Sequence, residues 1–293
     1  MKELVICSGK GGTGKTSVVA SFAALADDPV LADCDVDAAN LHLVLTPVVD
    51  RRFEFSAGHV AKIVPSRCIG CDICVGVCQY GAIAVPAEVG EPYTVDPLRC
   101  EGCGVCVHFC PERAIEFPER KVGEWIIAET RHGPLVTARL RPGAENSGKL
   151  VTKVRSGARV VAQARHNPTL LVDAPPGIGC PVIASLTDAD AALVVTEPTP
   201  SGMHDLERIV ELIRSFDLDT FVVTNKYDLN DEMSDRIADY CAGEEIPLVG
   251  RIPFDPLVTS AQLACTSVVE LDDSPAAQAL RAIWERIDGL LIH

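Results

Sequence analysis

The sequence predicts an α/β protein, a doubly wound and mainly parallel sheet interrupted by a small α+β insertion. Three observations carry that expectation. Apolar strand runs alternate with helical segments along most of the chain, a glycine-rich loop joins the first strand to the first helix, and one stretch repeats itself with four cysteines per copy. At 293 residues, 47% hydrophobic and only 5% aromatic, the chain has the Ala/Val/Leu/Ile bias of an α/β rather than an all-β protein.

In chain order, "ELVICS" reads as a short buried strand, "CSGKGGTGKTS" (Cys7–Ser17) as a loop and "KTSVVASFAALA" as a helix. A turn at Asp28-Pro29 leads into a second strand, "VLADCD". Two related segments follow, "PSRCIGCDICVGVCQYGAIAVP" from Pro65 and "PLRCEGCGVCVHFCPERAIEFP" from Pro97, with Pro, Arg, Cys and Ile at matching offsets. They mark residues 51–120 as a domain inserted into a larger one formed by 1–50 and 121–293. "GEWIIAETRHGPLVTARL" reads as an antiparallel pair turning at Gly133-Pro134, and "RPGAENSG" as a polar loop leading to a helix near Lys149. "TLLVDAPPG", "AALVVTEP", "TFVVTNKYD" and "IPLVGRIPFD" are strand runs ending in polar or turn residues. Helices such as "HDLERIVELIRSF" separate them, and "SPAAQALRAIWERIDGLL" is the terminal helix. In such a sheet, ligand groups gather at the C-terminal ends of the strands.

A net charge of −15 argues against nonspecific nucleic-acid binding, which needs a basic footprint. No apolar stretch approaches the roughly 20 residues of a membrane span, and the opening "LVICS" is too short for a secretory signal. A cytoplasmic location is therefore expected, where thirteen cysteines point to metal ligation rather than disulfides.

Gly9 to Thr16 satisfies the phosphate-loop pattern G-x-x-x-x-G-K-[ST]. Small residues let backbone N–H groups wrap a β-phosphate, and the helix N-terminus adds its positive end. The candidate nucleotide-binding set is Gly9, Gly11, Gly12, Thr13, Gly14, Lys15, Thr16 and Ser17. Lys15 reaches the β- and γ-phosphates and the Thr16 hydroxyl ligates Mg²⁺ in such a loop.

"GKGGTGKT" resembles the deviant Walker A motif of the MinD/ParA/Mrp group of P-loop ATPases, which includes the nitrogenase iron protein. "LADCDVDAANLHLVL" is similar to the second motif of that group, and the resemblance implies that Asp35 orients or activates the attacking water, with Asp33 and Asp37 nearby. Solvated acids at a strand end are the alternative for Asp33 and Asp35. "LLVDAPPGIG" resembles the Walker B motif and second switch, implying that Asp173 holds Mg²⁺ through water and that Gly177 rearranges around the γ-phosphate. In this group the extra lysine, here Lys10, crosses to phosphates bound by a second subunit. The resemblance thus implies a catalytic set of Lys10, Lys15 and Asp35, completed only in a dimer. A solvated surface lysine is the alternative for Lys10. The group reads adenine with an asparagine at the position of Asn225 and packs a segment like "IPFDP", with Pro253, beside the base. "TNKYD" also fits N-K-x-D, the guanine-reading pattern, with Asp228 as acceptor, so GTP stays open beside ATP.

C-x₂-C-x₂-C-x₃-C is the bacterial ferredoxin spacing and occurs twice. Three thiolates of one run hold one cubane and the fourth reaches the other. Cys68, Cys71, Cys74 and Cys110 are thereby assigned to one [4Fe–4S] cluster, and Cys100, Cys103, Cys106 and Cys78 to a second. Pro111 follows the last cysteine of the second run, as the pattern has it; Gln79 departs from the pattern in the first. Zinc and disulfides are the competing readings. An insertion so poor in aromatics is expected to rely on its clusters to fold. Cys7, Cys34 and Cys241 lie in or beside apolar runs and read as buried small hydrophobes, and Cys265 carries no assignment. Cys180 follows the second switch, where the iron protein has a cluster-bridging cysteine, but a second such ligand has no counterpart here.

The chain thus resembles MinD-superfamily P-loop NTPases with an inserted ferredoxin domain, which occur as adjacent pairs in anaerobes. The expectation is an ATP- and Mg²⁺-dependent homodimer, or heterodimer with a paralogue, whose closure shifts two [4Fe–4S] clusters and gates electron delivery to a redox or metal-cluster client protein. An Mrp-type cluster carrier is the alternative, although the C-x-x-C that such carriers bear near the C-terminus is missing. A MinD-type positioning switch is a third; its basic membrane-binding helix is not matched by a last helix in which Arg281 and Arg286 face Glu285 and Asp288.

Overall fold

The computed structural model describes residues 1–88, 91–141 and 147–292. The chain opens with β1 (Lys2–Ser8), α1 (Lys15–Leu25), β2 (Val30–Asp33), α2 (Leu41–Leu45) and the long β3 (Val48–His59). Short elements follow: β4 (Lys62–Ile63), α3 (Ile73–Val77), β5 (Ile83–Ala84), β6 (Thr94–Val95), α4 (Val105–Phe109) and β7 (Ile115–Glu116). Next come β8 (Glu119–Thr130), β9 (Gly133–Leu140), α5 (Ser147–Arg165), β10 (Thr169–Pro176), α6 (Cys180–Leu186), β11 (Ala191–Thr196) and α7 (Pro200–Arg214). The chain ends with β12 (Asp219–Asn225), α8 (Asp231–Gly243), β13 (Leu248–Ile252), α9 (Pro256–Leu263), α10 (Val268–Leu271) and α11 (Pro275–Ile292). No helix among the described residues is long and apolar enough to cross a membrane.

The described residues form two compact units, one of 1–53, 124–140 and 147–292, the other of Glu54–Gly123 with Arg141. The first is built on a sheet ordered β13-β12-β11-β1-β10-β2-β9-β8-β3. The neighbours from β13 through β9 pair in parallel, as expected of strands joined by helical crossovers. The middle stretches of its central strands, Leu4–Cys7 and Ala191–Val195, are apolar and fully buried because both faces are covered. Phe22 of α1 lies 5.1 Å from Trp284 of α11 between ring centroids, within the largest apolar cluster.

One turn falls elsewhere than the sequence implies. The β8–β9 connection is Arg131-His132, and Gly133, expected in the turn, already belongs to β9. Its glycine is needed for packing: the φ of +132° and the Pro29 carbonyl leave no room for a Cβ. The "RPGAENSG" loop lies mostly outside the described residues.

A buried ion pair ties β1 to α5. Glu3 is 2% exposed and accepts from Arg155 Nε at 2.8 Å and Arg159 Nε at 2.6 Å. Arg155 also donates to the Ala184 and Thr187 carbonyls, both at 2.7 Å. Glu3→Ala would strand the Arg155 cation in the interior. We expect it to lower the unfolding free energy by about 3–5 kcal/mol, read from urea denaturation; a change near zero would mean that water reaches the pair.

The second unit is a pair of cross-linked halves. β4 pairs antiparallel with β7, and β5 with β6. The first pairing joins the start of one repeat to the end of the other, and the second pairing does the converse. Ala61, Ile63, Ile83 and Ile115 are its buried apolar cluster, with cysteines packed around them.

Candidate functional site

Ile6, Asp173 and Asp33 stand level on the adjacent strands β1, β10 and β2, near their C-terminal ends. Beside them a cleft of about 800 Å³, within the range of small-molecule sites, is lined by Gly11–Ser17 together with Asp35, Asp37, Asn40 and Pro176. The first helix begins at Lys15 behind Gly14, whose φ of +91° and contact with the Asn225 amide exclude any side chain. The helix therefore points its electropositive end and free N–H groups at the cleft.

Lys15 is bonded to Asp173, and Thr16 Oγ1 donates to Asp173 Oδ2 at 2.9 Å. The two residues expected at Mg²⁺ are thus in contact. Burial opposes the Lys15 charge, but Asp173, Asp35 and Asp33 outweigh it and raise its pKa. Asp33 is fully buried and accepts from the backbone N–H groups of Asp35 (3.3 Å) and Leu41 (3.2 Å), pinning the segment that carries Asp35. Burial and then Asp173 push its carboxyl up to about 8. Asp35, half-buried, is likewise raised by burial first, with Lys15 opposing. Gly177, at φ +95°, donates its N–H to the Ser8 carbonyl at 2.9 Å.

The Asp33 shift has a consequence for stability. The folded protein holds a proton that the unfolded chain releases near the ordinary value of 3.8, so stability falls as pH rises from about 4 to about 8. Asp33→Asn should flatten that slope in denaturation midpoints recorded across this range; an unchanged slope would place the proton elsewhere.

Of the expected residues, Gly9, Lys10, Asp173, Asn225 and Pro253 are not in the cleft lining. Lys10 Nζ sits 2.6 Å from Glu197 Oε1 and donates to Ser201 Oγ (2.9 Å) and Thr199 Oγ1 (3.2 Å) of its own chain. Asn225 Nδ2 donates to the Thr13 carbonyl at 2.7 Å, bracing Gly14's neighbour in the loop. Pro253 is partly exposed in the segment whose Phe254 N–H donates to Asp228 Oδ1 at 2.6 Å. Sequence reasoning missed Gln262 and Leu263 of α9, which line the cleft; Gln262 Nε2 donates to Ser17 Oγ at 2.8 Å. No local pattern marks them, because α9 approaches the loop only through the tertiary fold.

The second unit gathers its cysteines around two cavities. Cys68, Cys71, Cys74 and Cys110 line one, and Cys78, Cys100, Cys103 and Cys106 line the other. The last cysteine of each run accepts a backbone N–H four residues on: Ala82 to Cys78 Sγ at 3.4 Å and Ala114 to Cys110 Sγ at 3.2 Å. Among the described residues no three His, Cys, Asp or Glu side chains converge tightly enough for a single metal ion. A cubane, in which each iron takes one cysteine thiolate, spreads its ligands wider than one tetrahedral ion does, so four cysteines around each of two separate cavities suit that group. Cys7, Cys34 and Cys241 are buried, and burial pushes the Cys7 and Cys241 thiols up to about 12 and about 11, so they are inert packing groups. Cys180 and Cys265 are exposed.

Comparison with known proteins places the chain in a nucleotide-binding family. The profile of the CobQ/CobB/MinD/ParA nucleotide binding domain matches residues 4–265. An uncharacterised protein of Methanocaldococcus jannaschii, MJ0578, is 31% identical across 97% of this chain and 96% of its own. A second from the same archaeon, MJ0579, is 29% identical across 83% and 91%. An iron-sulfur cluster carrier protein of Deinococcus radiodurans is 30% identical, but across only 41% of this chain and 37% of its own. Among solved structures, the Pyrococcus furiosus cell division ATPase MinD superposes with a TM-score of 0.59 at 21% identity, covering 99% of both chains. MinD of Pyrococcus horikoshii, complexed with Mg-ADP, gives 0.58 at 19%, covering 99% and 96%. The matched span runs from the first strand through the phosphate loop, Asp35 and Asp173 to α9, and the chain belongs to the CobQ/CobB/MinD/ParA nucleotide-binding family, with the P-loop NTPase fold of MinD and ParA.

Proposed function

We propose that this chain is a Mg²⁺-dependent ATPase whose nucleotide-driven dimer switching is coupled to electron transfer through two [4Fe–4S] clusters. The observation that carries the reading is the sorting of eight cysteines into two cavity-lining quartets, each drawing three from one repeat and one from the other. Bound there, the clusters supply one-electron storage, with Cys68, Cys71, Cys74 and Cys110 holding one and Cys78, Cys100, Cys103 and Cys106 the other.

At the nucleotide, the loop N–H groups and Lys15 bind the phosphates, while Thr16 and Asp173 hold Mg²⁺. Asp35, which lines the cleft, orients the attacking water, and Asp33 accepts from its backbone N–H. Lys10 leaves Glu197 for the phosphates of a partner chain, supplying a cation in trans at the moment charge builds. Adenine is favoured over guanine because Asp228 already commits a carboxylate oxygen to Phe254. The segment after Asp35 continues through α2 into β3, which runs into the second unit, so the chain itself links the nucleotide segment to the cysteine module. The consecutively numbered relatives MJ0578 and MJ0579 favour a paralogue as one form of the partner. The local likeness to a cluster carrier favours a second reading, delivery of a cluster to a client protein.

The test is anaerobic reconstitution with iron and sulfide, followed by ATPase rates and EPR-monitored reduction with ATP, ADP and no nucleotide. ATP should change the rate of cluster oxidation or reduction, and Lys10→Ala should retain ATP binding yet lose turnover by about 10³-fold. Potentials and reactivity indifferent to nucleotide would sink the coupling and leave the carrier reading; a fully active monomeric Lys10→Ala would sink the dimer.

A further inference from the structure

The two cysteine repeats superimpose in sequence at a constant offset, yet they differ at the residue that precedes the short helix of each. The second repeat has Gly104 there, at φ +74°, and the first has Asp72, at φ +59°. A left-handed conformation is natural for glycine and strained for most other residues, with aspartate among the more tolerant. The first repeat therefore keeps a side chain where the fold favours none. That side chain has a fixed partner: Tyr93 Oη donates to Asp72 Oδ1 at 2.6 Å. Both residues line the cavity of Cys68, Cys71, Cys74 and Cys110.

Other charges do not repeat this asymmetry. Each cavity has one further carboxylate in its lining, Glu112 at the first and Glu101 at the second. The arginines that precede the first cysteine of each run, Arg67 and Arg99, are each paired with an acid, Glu116 and Asp96. Each cavity's fourth cysteine accepts one matching backbone N–H, so hydrogen bonding to sulfur is also balanced. What remains within the two cavity linings is one carboxylate, held in place by a tyrosine, on the first cavity alone; Glu88 and Glu91 lie outside that lining, in a neighbouring cleft that shares Cys68 and Tyr93.

We propose that Asp72, oriented by Tyr93, is a potential-setting residue that makes the two clusters inequivalent, the one held by Cys68, Cys71, Cys74 and Cys110 having the lower reduction potential. This rests on the two-cluster reading above. Adding an electron to a cluster beside a fixed negative charge is disfavoured, and net charge near a cluster is one of the main determinants of its potential. Asp72 lies on the surface, so water and salt screen part of the effect.

The experiment is a potentiometric titration, followed by EPR, of the full-length reconstituted protein and of Asp72→Asn, Asp72→Gly and Tyr93→Phe. Wild type should give two separable midpoints. Asp72→Asn, which keeps an acceptor for Tyr93 but removes the charge, should raise the lower midpoint by up to about tenfold in the redox equilibrium, or about 59 mV for one electron, and leave the upper in place. Asp72→Gly, the residue that the second repeat carries, should do the same without strain. Tyr93→Phe should shift the lower midpoint by less, since the charge remains and only its position is freed. A separation unchanged in both Asp72 variants, or movement of the upper midpoint alone, overturns the proposal while the clusters themselves stand. Failure of wild-type protein to take up about eight irons per chain overturns the two-cluster reading and this inference with it.

Discussion

Lys15→Met should abolish nucleotide binding and, separately, lower the stability of the nucleotide-free protein by about 3–5 kcal/mol. The Lys15 side chain is 7% exposed and the Asp173 side chain 1%, so their ion pair has little water to fall back on. Asp35 and Asp33 add to the attraction that raises the Lys15 pKa. A raised lysine pKa contributes stability that is complete below the unfolded value of 10.5 and is lost only above it, so the effect is fully present at neutral pH. Removing the ammonium leaves Asp173 buried and unpaired, beside an Asp33 carboxyl already pushed up to about 8. The double variant Lys15→Met with Asp173→Asn separates the two roles. It should recover most of the stability, because the uncompensated charge has gone, and none of the binding, because the phosphates still lack their cation. Urea unfolding and titration with a fluorescent ATP analogue measure the two quantities independently. Unchanged stability in Lys15→Met would mean that the Lys15–Asp173 pair is not a buried interaction in solution.

The positions of the phosphate loop, Asp35 and Asp173 are legible because each sits in a short pattern at a strand end, where the fold class itself dictates position. Thr16 and Asp173 come from motifs far apart in sequence, and their direct contact follows from β10 lying next to β1. Partners drawn from elsewhere in the fold left no such trace. Glu197, Thr199 and Ser201 hold Lys10, yet nothing near Gly9 announces them. Arg131 shows the same limit. It donates to the Val44 carbonyl at 3.1 Å and to both oxygens of Glu270 at 2.7 and 2.9 Å, fastening the helix after the Asp35 segment to α10. Glycine and proline are strong turn signals, so the sequence implies a turn two residues further on, at Gly133-Pro134. The backbone instead needs that glycine for close approach to Pro29.

The second large effect concerns which cysteines act together. Cys110→Ser should reduce iron content from about eight to about four per chain, and the cluster lost should be the one held by Cys68, Cys71 and Cys74 of the other repeat. Pairs of substitutions make the assignment decisive. Cys71→Ser with Cys110→Ser touches one cavity and should leave about four irons, whereas Cys103→Ser with Cys110→Ser touches both and should leave none. If each cluster were instead held within a single repeat, the two double variants would exchange outcomes. The antiparallel pairs β4–β7 and β5–β6 favour the crossed outcome, since each already joins the beginning of one repeat to the end of the other. Stability should follow the same pattern. The unit's own buried apolar cluster is Ala61, Ile63, Ile83 and Ile115, with Val75, Tyr93, Val95, Val107 and Phe117 partly buried against it, a small core for about seventy residues that we expect to need metal to stay folded. Limited proteolysis should therefore leave the second unit largely intact when one cavity is disabled and open it when both are. A second unit that resists protease with both cavities disabled would show that packing around those four residues suffices, and that the cysteines serve chemistry alone.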